Sequence, residues 1–177
     1  ILYEAKVEGR LLTGSGLAGV FETAMLLHPV YGVPYVAGST VRGTLRAALA
    51  ASYPAEAEKL FGAAPRETGA ESESITAGFV TVHDALWVPK SSRTPLSLDV
   101  LTVHHPKYYQ GNGAPTDFDQ PNPVHFLTAR GKFLFALEAP DASWGEYLQK
   151  VLIQALRFRG IGAKKAAGYG RFMPPQP

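Results

Sequence analysis

An α+β domain built on an antiparallel sheet, with both helices on one face, is the fold class this sequence predicts, and three observations carry the prediction. Residues 3–12 alternate apolar with polar side chains, the period of a strand buried on one face only, and Phe133, Phe135 and Leu137 share one face of a strand over 132–138. Residues 39–49 and 143–156 place their apolar side chains at helical spacing. The order of the segments, strand, helix, strands, helix, strand, gives a βαββαβ unit.

In "YEAKVEGRLL", Ala5, Val7 and Leu11 fall on one side and Glu4, Lys6, Glu8 and Arg10 on the other, with Gly9 weakening the strand locally. The stretch "LTGSGLAG" then breaks the pattern. Ser39 or Thr40 is expected to cap a helix whose Val41, Leu45, Ala48 and Leu49 share a face, with Arg42 and Arg46 as an i, i+4 pair beside it. A second strand is expected over 78–88, with Val80 and Val82 opposite Thr81 and His83. Residues 89–123, rich in Pro, Gly, Asn and Asp, are too long for a turn and read as an ordered insertion with a short strand near 98–103.

Residues 124–128 and 132–138 are separated by "ARG", a hairpin-like gap, and Phe133, Phe135 and Leu137 share one face. Ser143, followed three residues on by Glu146, reads as a capping box. Trp144, Tyr147, Leu148, Val151, Leu152, Ala155 and Leu156 then form one helical stripe. A glycine-rich loop and a short final strand, "GYGRFM", close the chain. The resulting βαββαβ order is the ferredoxin-like (RRM-like) arrangement, which many unrelated functions share.

A chain of 177 residues fits a single domain, 1–177, that contains the insertion and buries a proper core. Zero cysteines exclude disulfides, thiolate metal sites and cysteine nucleophiles, and they fit a reducing, cytoplasmic setting. No apolar run approaches the ~20 residues of a membrane helix, and "ILYEAKVEGR" lacks the regions of a secretory signal. The numbering opens on Ile1 rather than methionine, so native residues can precede it. A formal net charge of +2 is small, but its distribution is uneven. Residues 157–171 carry Arg157, Arg159, Lys164, Lys165 and Arg171 with no acidic residue, whereas 56–73 carries Glu56, Glu58, Glu67, Glu71 and Glu73 against Lys59 and Arg66 and reads as a mobile, solvated acidic loop.

Two glycine-bearing segments concentrate anion-binding chemistry. In "GIGAKKAAGYG", Gly160, Gly162, Gly168 and Gly170 permit positive φ and close approach of backbone to a ligand. Lysine charge with backbone N–H geometry suits a phosphodiester backbone, read without its bases. The same residues also fit a helix C-cap and turn with solvated lysines. In "GVPYVAGSTVRGTLRAAL", Gly38 and Ser39 are expected to offer free N–H groups at a helix N-terminus beside Thr40, Arg42 and Arg46, or simply to form an ordinary cap. In the predicted fold the two loops come close to one sheet face and edge. Neither a Walker loop nor G-x-G-x-x-G is present, so no nucleotide cofactor is expected.

"PYVAGSTVRGTLRAAL" resembles the "P-G-S-[ST]-[LIV]-[KR]-G-x-[LIF]-R" segment, and "GIGAKKAAGYGRF" the C-terminal glycine-rich loop, of the repeat-associated mysterious proteins, the RAMP superfamily of CRISPR–Cas systems. Ala37 stands where that family often has proline. "DVLTVHHPKYYQG" followed by "PTDFDQPNPVHFL" is similar to the sixth-subunit branch of the type III-B effector, the Cmr complex, with Val103 at a position commonly proline. The resemblance implies a non-catalytic, RNA-binding subunit near the 3′ end of the guide RNA in antiviral defence. Its implied partners are guide and target RNA and the backbone and small helical subunits, with no membrane. The implied RNA-binding set is Gly38, Ser39, Thr40, Arg42, Arg46, Arg159, Gly160, Gly162, Lys164, Lys165, Gly168, Tyr169 and Arg171.

An enzymatic alternative is a guide-processing endoribonuclease of the same superfamily, with a histidine as general acid or base and a lysine stabilising the transition state. His104 and His105 beside Asp99, Lys107 and Tyr108 form the best cluster, although Asp99 and His104 can equally hold the insertion by hydrogen bonds. Such an enzyme would use a histidine near the first strand or helix, for which His28 is the nearest candidate, but in its apolar stretch it reads as packing. Asp99, Asp117 and Asp119 lack the spacing of a carboxylate metal site, and adjacent histidines diverge in a strand, so no metal is expected. Tyr169 either stacks a base or, the preferred reading, packs against the last helix.

Overall fold

The structure is a computed structural model that describes residues 1–17, 23–62, 77–103, 105–120 and 122–174. Its main sheet centres on β7 (Lys132–Glu138), where Phe133, Phe135 and Leu137 alternate inward as their spacing requires and are all buried. On one side β7 pairs antiparallel with β1 (Leu2–Lys6), with Leu2 opposite Ala136 and Lys6 opposite Lys132. On the other it pairs with β3 (Thr81–Val82) and β4 (Ala85–Trp87), and β4 in turn pairs with β2 (Tyr35–Val36). The order is β1-β7-β4-β2, a mixed α+β architecture with antiparallel sheets.

The strand expected over 78–88 is divided into β3 and β4 by a bulge. Between the pairs Val82–Leu137 and Leu86–Leu134 this strand advances four residues while β7 advances three. The extra residue bends the strand at His83 and Asp84. The hairpin expected across "ARG" is also corrected. β6 (Asn122–Ala129) pairs along its whole length with β5 (Leu96–Val103) in a second, two-stranded sheet, and does not pair with β7. Long-range bonds decide this: Ala129 is bridged to Leu11, the Arg130 N–H donates to Pro95, and Gly131, at φ +103°, turns the chain into β7. The predicted insertion therefore contains β5 and the start of β6, with the short α3 (Pro106–Tyr109) between them.

Helix α1 (Gly38–Ala50) buries Val41, Leu45 and Leu49 at the expected spacing, but its N-cap is Ala37, two residues before Ser39 and three before Thr40, with no side-chain bond from that cap. Helix α2 (Pro54–Phe61) occupies the first part of the expected acidic loop and buries Ala57, Leu60 and Phe61; Arg66, Glu67, Glu71 and Glu73 lie outside the described residues. Helix α4 (Ala142–Gln154) is capped by Asp141, whose Oδ1 accepts the Trp144 N–H at 2.9 Å, rather than by Ser143. Asp141 wins because its extended backbone, φ −150°, is the half-in conformation a cap needs, while Ser143 is already helical. Leu148, Leu152, Ala155 and Leu156 of the predicted stripe are buried, whereas Trp144 and Tyr147 sit at its rim.

Beyond α4 the chain continues as a π turn, Ala155–Arg159, ended by Gly160 at φ +69°. The expected final strand is reduced to a single antiparallel bridge between Phe172 and Val7. Phe172 nevertheless anchors the C-terminal segment, since its buried ring lies edge-on to Phe133 at 6.3 Å and Phe135 at 5.6 Å.

Candidate nucleic-acid interface

The glycine-rich loop is a second layer of chain laid against residues 10–12. Ile161 N–H donates to Gly170, Ala163 N–H to Leu12, and Gly170 N–H to Arg10, each at 2.8 Å. Gly162 and Gly170 make this approach possible: a Cβ on the first would lie 2.3 Å from the Leu12 oxygen, and one on the second 1.8 Å from the Ile161 oxygen. Gly160 has the Gly170 oxygen at 3.0 Å from its own Cβ position. Gly168, at φ +89°, differs, because nothing lies within 4 Å of its Cβ position.

The lysines emerge from this scaffold on a tight turn. Lys164 takes a left-handed conformation, φ 54°, ahead of a 3₁₀ turn over Lys165–Ala167. The N–H groups of Ala167 and Tyr169 return to the Lys164 carbonyl and that of Gly168 to Lys165. The expectation that loop N–H groups would supply geometry to a phosphate is thus corrected for these six donors, all of which are bonded internally. What the turn presents is charge: Lys165 and Arg171 are exposed, and the half-buried Lys164 holds its Nζ 5.9 Å above the Phe126 ring.

Tyr169 packs, as preferred, but on the β5–β6 hairpin rather than the last helix. Its ring lies 6.1 Å from Phe126 and its hydroxyl donates to Asp99 Oδ2 at 2.7 Å. The same carboxylate oxygen meets Arg10 Nη1 at 2.8 Å, and Arg10 also donates to the Leu98 carbonyl. Partial burial pushes the Asp99 carboxyl up, but the Tyr169 hydroxyl, the Val100 N–H and the Arg10 guanidinium together hold it below the ordinary carboxylate value. Burial, then the Asp99 carboxylate, pushes the Tyr169 phenol up. Arg10 and Phe126 were not singled out from the sequence, and only the outward position of Arg10 beside Val7 and Leu11 hinted at a role.

The second segment is closed differently. The bulge at Asp84 brings its Oδ1 to 2.7 Å from the Gly38 N–H, so this N–H is not free and an internal carboxylate already occupies the positive end of α1. A Cβ at Gly38 would stand 2.6 Å from the Val82 oxygen, which is the reason for glycine there. Ser39 and Thr40 are exposed. Arg42 donates to the Phe61 carbonyl at the end of α2 and Arg159 to the Ala47 carbonyl near the end of α1, so both tie helices together; Arg46 is half-buried. Since Arg159 meets α1 at Ala47 and the Asp84 cap meets it at Gly38, these two tethers are separated by about 14 Å of helix. Asp84→Ala is expected to cost about 1–2 kcal/mol in urea unfolding while leaving RNA affinity unchanged. A tighter affinity would show that the α1 terminus, freed of its internal carboxylate, belongs to the RNA surface.

The described histidines have separate partners. His28 Nδ1 accepts the Val30 and Tyr31 N–H groups, and its ring stacks on Tyr31 at 4.7 Å. His83 Nε2 meets Glu138 at 2.6 Å in an exposed pair. His105 Nδ1 meets Asp119 at 3.0 Å, and the pair closes the loop beyond α3; the histidine's hydrogen bond and the Thr116 N–H hold the Asp119 carboxyl below its usual value. His104 lies outside the described residues. Among the described residues no three His, Cys, Asp or Glu side chains converge on a point where a metal would sit, and no helix is long and apolar enough to cross a membrane.

The architecture and the exposed basic turn define the class of protein: a mixed α+β domain whose glycine-rich loop is braced from within and presents cations outward. The chain belongs to the RAMP superfamily, whose sequence profile matches residues 4–172. It is 25% identical, over 95% of its length, to the CRISPR system Cmr subunit Cmr6 of Pyrococcus furiosus, and spans 66% of that protein. The crystal structure of Cmr6 from Pyrococcus furiosus is similar at a TM-score of 0.56, with 25% identity over 99% of this chain and 97% of that one. A chain in the cryo-EM structure of the Type III-B Cmr-beta bound to cognate target RNA shares the fold at a TM-score of 0.77 and 24% identity, and this chain covers 58% of it.

Proposed function

We propose that this protein is an RNA-binding, non-catalytic subunit of a type III-B CRISPR effector, seated at the 3′-end region of the guide RNA and supporting target-RNA cleavage by other subunits. The observation that carries this reading is the Lys164–Lys165 turn. It carries an exposed Lys165 beside a half-buried Lys164, on a loop whose N–H groups at Ile161, Ala163 and residues 167–170 are bonded internally, which suits charge contact with phosphates that leaves bases free to pair. Arg171 and the open backbone at Gly168 extend the surface. Membership of the RAMP superfamily and similarity to Cmr6 supply the assembly: guide RNA, target RNA, and the backbone and small helical subunits as partners.

The core is read as ferredoxin-like, with β1, β4 and β7 as three of its strands and the Phe172 bridge as the remnant of the fourth. The non-catalytic part of the reading is supported by the described residues His28, His83 and His105, which are engaged by different groups: the Val30 and Tyr31 N–H, Glu138 and Asp119. The test is a nuclease footprint of guide RNA in a reconstituted type III-B effector. The 3′-terminal nucleotides are expected to be protected only when this subunit is included. Equal protection without it, or protection confined to the 5′ end, would overturn the placement.

A further inference from the structure

We infer that Asp99 is a positioning residue for RNA binding: it clasps the glycine-rich turn to the β5–β6 hairpin and so fixes where Lys164 presents its charge. The inference rests on the RNA-binding reading above and goes beyond it, since a carboxylate such as Asp99 repels phosphate and can serve RNA only through the groups it holds. Three contacts make the clasp. Asp99 Oδ2 accepts the Tyr169 hydroxyl at 2.7 Å and pairs with Arg10 at 2.8 Å, while Arg10 Nη1 also donates to the Leu98 carbonyl at 2.7 Å. Residue 10, residue 99 and residue 169 come from three distant parts of the chain, and they meet within hydrogen-bonding distance of one carboxylate.

The connection to Lys164 runs through ring packing. Tyr169 lies against Phe126 at 6.1 Å, and the Lys164 ammonium sits over the same ring at 5.9 Å. The Tyr169 N–H returns to the Lys164 carbonyl, so moving Tyr169 moves the lysine's backbone as well. Lys164 is held at φ 54°, a left-handed conformation that persists in a residue other than glycine only where its surroundings fix it. Arg10 has a second effect. By neutralising Asp99 at 2.8 Å it keeps a carboxylate within the basic surface from cancelling the field of Lys164, Lys165 and Arg171.

A positioning role and a purely electrostatic one predict opposite signs. Asp99→Ala removes a negative charge from a surface that meets a polyanion, so charge alone would tighten RNA binding. Positioning predicts weaker binding by about five-fold, a salt slope lower by about 0.7, and little further loss when Asp99→Ala is added to Lys164→Ala. Tyr169→Phe leaves net charge unchanged and removes only the hydroxyl; it is expected to weaken binding by about two- to three-fold.

The experiment is fluorescence anisotropy with a labelled single-stranded RNA, for the full chain and these variants, at several salt concentrations and well below each variant's Tm. Weakening by Asp99→Ala and by Tyr169→Phe, with non-additivity toward Lys164→Ala, supports the clasp. Equal or tighter binding by Asp99→Ala, or losses that multiply with Lys164→Ala, overturns it. Should circular dichroism show Asp99→Ala unfolded, Tyr169→Phe decides alone, and unchanged affinity in that folded variant overturns the inference. Lys164→Ala weakening binding while Asp99→Ala and Tyr169→Phe do not removes the clasp and leaves the RNA reading standing. Absence of salt-dependent binding by the wild type removes both.

Discussion

Gly170→Ala is expected to destabilise the domain by about 4 kcal/mol or more, enough to leave it largely unfolded. Two costs combine. At φ +72° an alanine is strained whatever space it has, and its Cβ would stand 1.8 Å from the Ile161 oxygen, a distance only backbone movement can relieve. That movement would break the Ile161 and Gly170 bonds that lay the loop on residue 10, and would pull on the neighbouring Phe172 anchor. Gly168→Ala is the internal control: it shares the positive φ but has nothing within 4 Å, so about 1–2 kcal/mol of strain is all it should cost. Urea unfolding of the two variants checks the difference. Equal losses would mean that the loop glycines do not serve the inward packing seen here.

Lys164→Ala combined with Lys165→Ala is expected to weaken single-stranded RNA binding about ten-fold at low salt, similarly for every RNA sequence tried. If both ammonium groups contact phosphates, the slope of log affinity against log salt falls by about 1.4, from ~0.7 for each contact. Between 50 and 200 mM salt the wild type then loses about seven-fold more affinity than the variant does. Anisotropy titrations at those two concentrations measure it. A loss that depended on RNA sequence would instead indicate base readout. Stability should barely change, because Lys165 is exposed and Lys164 contributes only its contact with the Phe126 face.

Local patterning made β7, α1 and α4 legible, because Phe133, Phe135 and Leu137 alternate and Val41, Leu45, Leu49, Leu148 and Leu152 recur at helical spacing. Helix α2 was hidden by Glu56 and Glu58, which lent the segment an acidic, solvated character. Its signal was present in Pro54 at the first helical position and in the spacing of Ala57, Leu60 and Phe61. The pairing of β6 could not be read from the short gap before β7, since it is decided by the Leu11–Ala129 bridge and the Pro95 carbonyl, both far away in sequence. Likewise the helix caps moved to Asp84, forty-six residues from Gly38, and to Asp141, two residues before the serine that the capping pattern suggested.

For the candidate site, sequence located the charge and structure located its support. Lys164, Lys165 and Arg171 stand out in a stretch free of acidic residues, but nothing local announces that Gly162 and Gly170 serve contacts with residues 10–12. The Tyr169–Asp99 bond spans seventy residues and depends on the β5–β6 register, which places Asp99 opposite Phe126. Tertiary partners of this kind have no periodicity to betray them.

In the proposed function the basic turn holds RNA without cutting it. The most direct measurement is binding of single-stranded RNA by the purified chain, wild type against the Lys164→Ala, Lys165→Ala variant, at two salt concentrations, with the same samples run on a denaturing gel. The account predicts salt-sensitive binding that the variant loses, with the RNA intact in every lane. Cleaved RNA in the wild-type lanes, or equal binding by the two proteins, would contradict it.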